Sequence, residues 1–64
     1  MDTKRGSSFA GAGDLVAHAE AARRYLAELS AACANGDKSA ARRALRQAIS
    51  ELELARAMLR IGID

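Results

Sequence analysis

From Asp14 to Ala34 the chain contains no helix breaker, and its apolar residues Leu15, Ala19, Ala22, Leu26, Leu29 and Cys33 recur in alternating steps of four and three. A second run, Ala41, Leu45, Ala48, Leu52, Ala55 and Leu59, keeps the same rhythm. That spacing draws one stripe along an α-helix, so each run predicts an amphipathic helix with a coiled-coil-like seam. The first helix is expected over residues 14–34. Asp14 stands at its start, where a carboxylate accepts from the first-turn amides and meets the positive end of the helix dipole. Asn35-Gly36 closes it, because both residues tolerate the left-handed backbone that ends helices. Asp37 or Ser39 then caps a second helix over residues 37–60, which frays near Gly62. So short a connection turns the helices back on each other as an antiparallel hairpin. Residues 1–12, with Gly6, Gly11, the Lys4-Arg5 pair and a solitary Phe9, hold no period and are expected to form a flexible N-terminal arm.

Each apolar stripe is wider than one neighbouring helix can cover. His18, Tyr25 and Ala32 flank the first seam, and Ala44, Ile49 and Ile63 flank the second. A chain of 64 residues has little interior, and such chains are usually stabilised by disulfides, a metal or association. The single cysteine excludes an internal disulfide, and one histidine with one cysteine cannot make a zinc set. Association is left. The expected fold is therefore all-α, an antiparallel helical hairpin assembled as a homodimeric four-helix bundle. Its expected dimer core is Leu15, Ala22, Leu26, Leu29, Leu45, Ala48, Leu52, Ala55 and Leu59.

The Ala and Leu alternation at Ala41, Leu45, Ala48, Leu52, Ala55 and Leu59 resembles the seam of the Rop family of plasmid copy-number regulators, homodimeric four-helix bundles that bind paired RNA stem-loops. The resemblance spans both helices and is architectural, since the first helix departs from the alternation at Ala19-Ala22 and Leu26-Leu29. No functional residue aligns, so it implies the bundle and not the RNA site. The turn Asn35-Gly36-Asp37 with Ala41, Arg42, Ala44 and Leu45 is also similar to a tetratricopeptide turn and second helix, but an array needs about three units and this chain holds one hairpin.

Composition narrows the function classes. With one His, one Tyr, one Phe and no Trp, the chain lacks the side chains for most active sites, so no enzyme activity, cofactor, metal or small-molecule substrate is expected. No segment approaches the roughly 18 uninterrupted apolar residues of a membrane span, and Met1-Asp2-Thr3-Lys4-Arg5 leads into Gly and Ser rather than an apolar leader, so a cytoplasmic protein with a free thiol is expected. Cys33 is expected to be a small buried hydrophobe on the seam, His18 a partly buried imidazole, and Tyr25 a ring packed at the seam edge.

Two surfaces remain for a partner. Winding the second helix at about 100° per residue groups Leu54, Met58 and Ile61 nearly opposite the seam, with Arg56 and Arg60 at the rim. This predicts an apolar docking patch, by which a small dimeric module binds a larger regulatory protein or enzyme as an inhibitor, anti-activator or adaptor. The alternative is a face of Lys38, Arg42, Arg43 and Arg46 that contacts an anionic partner such as nucleic acid. The second helix carries six cations and three anions against two and three on the first, and Arg42 with Arg46 is a like-charge pair at the helix end where cations oppose the dipole. No aromatic residues are interleaved to stack single-stranded bases. Glu20 with Arg24, and Arg24 with Glu28, are expected to pair on the helix surface.

Overall fold

The computed structural model describes residues 9–63, with side-chain surroundings assigned up to Arg60, and these residues form two helices and no strand. Helix α1 spans Ala12–Ala34 and helix α2 spans Lys38–Ile63, packed side by side as an antiparallel hairpin. Most of the expected arm, residues 1–8, lies outside the described residues.

Helix α1 opens two residues earlier than Asp14. Gly11, at φ 84°, holds the left-handed backbone at the entrance and no side chain caps the helix. Instead the Phe9 carbonyl accepts from the Ala12 amide at 3.0 Å and the Gly11 carbonyl from the Leu15 amide at 2.9 Å. Asp14 falls inside the first turn, where its charge still meets the helix dipole. The other end follows the sequence closely. Gly36 adopts φ 70°, the Asp37 amide donates to Ala32 O at 2.8 Å, and the Gly36 amide donates to Cys33 O at 3.1 Å. These are the two bonds of a Schellman closure, and they satisfy carbonyls the helix end would otherwise leave open. Of the two capping candidates for α2, Asp37 serves: its Oδ1 accepts from the Ala40 amide at 3.0 Å.

The single stripe read along each helix divides into two faces. Between the helices lie Leu15, His18, Ala22, Tyr25, Leu29 and Ala32 from α1, and Ala41, Ala44, Ala48, Glu51, Ala55 and Met58 from α2, all buried or half-buried. This interhelical seam keeps the steps of three and four, but only Leu15, Ala22 and Leu29, with Ala41, Ala48 and Ala55, belong to both it and the expected stripe. Among the described residues the four buried side chains, Ala22, Ala32, Ala44 and Ala48, are all alanine. Methyl groups that small let the helix axes approach closely, yet each methyl contributes only about 0.8 kcal/mol on burial. The described chain is about 10 Å through its thinnest direction, a single layer of helices, so it has a contact line rather than an enclosed core.

The tightness of that line is testable. Ala48 is 1% exposed, and Ala48→Leu should force the helices apart at a cost of about 1–3 kcal/mol, lowering the urea midpoint followed by circular dichroism at fixed protein concentration.

Candidate functional site

The other half of the expected stripe faces away from the hairpin. Leu26, Leu45, Leu52 and Leu59, the four leucines of the expected dimer core that lie outside the seam, are joined by Ile49 and are between 37% and 49% exposed in the hairpin. Their geometry is simple. On α2 they stand at or near one residue past the seam positions Ala44, Ala48, Glu51, Ala55 and Met58, and Leu26 stands one past Tyr25. In two antiparallel right-handed helices, that step of about 100° turns both toward the same side of the layer. Val16, Ala19 and Cys33 follow Leu15, His18 and Ala32 in the same way and are exposed with them. Cys33 is therefore a surface thiol on this side rather than a buried hydrophobe. The result is one broad apolar side along the hairpin, interrupted by Arg23, Ser30 and Arg56 and bordered at the tip by Arg42. Ala17, Ala21, Arg24, Glu28, Arg43, Gln47, Ser50 and Leu54 occupy the opposite, more polar side.

The patch expected at Leu54, Met58 and Ile61 does not assemble as a free surface. Leu54 is exposed on the polar side, whereas Met58 is half-buried in the seam at the open end of the hairpin. A Cβ built on Gly11 would stand 3.7 Å from its Cε, which places the thioether against the entrance of α1. The helix phase explains this: Met58 continues the Ala44, Ala48, Glu51, Ala55 line in steps of three and four. The side chain of Ile61 lies outside the described residues. Arg56 and Arg60 are both exposed.

One polar pair crosses the seam. His18 Nδ1 and Glu51 Oε1 are 2.6 Å apart, with the two side chains 31% and 23% exposed. A carboxylate only accepts, so the imidazole donates from Nδ1. His18 was anticipated as a half-buried ring; Glu51 was not, because the search for apolar periodicity passes over a carboxylate. The signal was its register, three residues past Ala48 and four before Ala55. On the outer surface, Glu20 pairs with Arg23 at 3.6 Å rather than with Arg24. That contact is largely solvated and adds little.

Around the tip are two shallow depressions. One, of about 270 Å³, is lined by Cys33, Gly36, Asp37, Lys38 and Ala41. The other, of about 260 Å³, is lined by Ser39, Arg42, Arg43 and Arg46, so the structure does bring three of the four expected cationic residues together. Lys38 borders the first depression instead. Among the described residues no group of three His, Cys, Asp or Glu side chains could hold a metal ion, and no helix is long and apolar enough to cross a membrane. No family model, curated protein or solved structure matches this chain.

Two measurements check this geometry. Met58→Asp should lower helicity and thermal midpoint by circular dichroism, because it places a charge in the seam, whereas Leu54→Asp should leave both near the parent values. A double-mutant cycle of His18→Ala with Glu51→Ala should return a coupling of about 1 kcal/mol in urea unfolding.

Proposed function

We propose that this chain is a small protein-interaction module that works as a homodimer, two hairpins closing their apolar sides on each other as a four-helix bundle. The observation that carries the reading is the row of Leu26, Leu45, Ile49, Leu52 and Leu59 on one side of a two-helix layer. A row this continuous is far more than the scattered apolar residues of an ordinary surface. A second copy is the occupant that fits. It presents a face of the same length and the same apolar chemistry, and it supplies the leucine-rich interior that an alanine seam lacks. Ordering a residue's backbone costs roughly 1–2 kcal/mol, so burying a line of methyl groups cannot by itself offset the ordering of two long helices.

In this reading the dimer core holds Leu26, Leu45, Leu52 and Leu59 between hairpins, and Leu15, Ala22, Leu29, Ala48 and Ala55 within each hairpin. The dimer has no catalytic role and acts by occupying a surface of a larger protein, as an inhibitor, anti-activator or adaptor. Leu54, exposed on the opposite side, is the apolar anchor left for that contact, with Arg60 further along α2 and Arg56 at the rim of the dimer side.

Sedimentation equilibrium at micromolar concentration should give twice the 6.7 kDa chain mass. Leu45→Glu and Leu52→Glu should each weaken association by at least tenfold and lower helicity in parallel with dissociation. A folded, fully helical monomer at that concentration overturns the dimer, and the apolar side then belongs to a different protein.

A further inference from the structure

We infer that the opening turns of α2 form a docking surface for the phosphate backbone of a nucleic-acid duplex. Between Arg24 and Ala48 the hairpin carries five cations and two anions, so the tip half is strongly positive while the remaining described residues hold more anions than cations. The charge is also organised. Ser39, Arg42, Arg43 and Arg46 line one depression of about 260 Å³, below the size of a typical small-molecule pocket and suited to a single anionic group. No carboxylate lines it, and among the described residues none lies within ion-pair distance of these three guanidinium groups.

Packing does not require this arrangement. Arg42, Arg43 and Arg46 are exposed, and Arg42 with Arg46 forms a like-charge pair one turn apart near the helix end that disfavours cations. All three cations at the depression are arginine, whose planar fork binds phosphate through two parallel hydrogen bonds. The chemistry selects a duplex over a single strand. Tyr25 is half-buried in the seam, and no aromatic residue lies among the arginines, so nothing there can stack an unpaired base. Contacts of this kind read the backbone and not the base sequence. By helix phase Arg43 lies on the polar side and Arg46 on the outer edge, whereas Arg42, one residue past Ala41, borders the apolar side. A second hairpin covering Leu45 and Leu52 therefore leaves Arg43 and Arg46 open and comes close to Arg42.

The test is fluorescence anisotropy with a labelled double-stranded DNA of two helical turns, with polyglutamate as competitor. The parent chain should bind, with log affinity falling linearly against log salt. The triple variant Arg42→Gln, Arg43→Gln, Arg46→Gln should bind at least tenfold more weakly and lose about 1 from the salt slope for each phosphate contact removed, with parent helicity and sedimentation mass. Should the triple variant lose helicity, Arg46→Gln alone should reduce the slope by about 1. No binding at low salt, unchanged affinity and slope in the folded variants, or displacement of the duplex by a lower charge concentration of polyglutamate overturns the inference, the last in favour of an acidic protein. Sedimentation of the same samples separates this outcome from the dimer's.

Discussion

The fold depends on how closely two helices can approach along a line of methyl groups. Ala22 and Ala32 on α1, with Ala44 and Ala48 on α2, are the only buried side chains among the described residues, and each is the smallest that still leaves good helix propensity. Close contact brings His18 within a hydrogen bond of Glu51, seats Met58 against the α1 entrance and limits the connection to three residues. The same choice has an opposite effect on burial. Because alanine lines most of the α2 side of the seam, Leu45, Ile49, Leu52 and Leu59 are turned to one side of the layer, where Leu26 of α1 joins them. The apolar side is therefore a direct result of the seam and not a separate feature.

The two broad sides of the hairpin consequently differ in chemistry. One presents Leu26, Leu45, Ile49, Leu52 and Leu59; the other presents Arg24, Glu28, Arg43, Gln47 and Ser50. Charge varies along the other axis, with Lys38, Arg42, Arg43 and Arg46 of α2 toward the tip and Glu51 and Glu53, with Arg56 and Arg60, toward the open end. Surfaces sorted in two directions can meet two partners at once. The apolar row and the tip arginines meet at Arg42, one residue past Ala41, while Arg43 and Arg46 stand clear of the row.

The hairpin was readable from the chain because its signals are local. Asn35-Gly36 specifies a left-handed closure, Asp37 caps the helix that follows, and periods of three and four set the helix axes. The start of α1 was less legible, since the sequence offers Asp14 as a cap while the chain enters through Gly11 three residues earlier, using carbonyls rather than a side chain. The division of the apolar stripe between the seam and one outer side was not legible. A period of 3.5 fits the line through Leu45, Leu52 and Leu59 as well as the line through Ala44, Glu51 and Met58, and apolarity alone prefers the first. The packed line is the one with the smaller residues, and it contains a carboxylate whose place follows only once His18 is found across from it. For the same reason the sequence places Met58 on the outer face, whereas it is half-buried in the seam. The arginine cluster was legible because Arg42, Arg43 and Arg46 are near neighbours in sequence, where helix geometry leaves little freedom.

The three-residue closure at Asn35-Gly36-Asp37 also sets the order in which contacts can form. All contacts between the helices are nested around that turn, with Ala32 and Ala41 separated by the shortest stretch of chain and Leu15 and Met58 by one of the longest. Loop-closure entropy rises with the length of the intervening chain, so docking begins at the tip and advances one heptad at a time toward the open end. The hairpin closes like a zipper. Fraying runs in reverse, and Met58 against Gly11, at the mouth, is the first contact to be lost and the last to be regained.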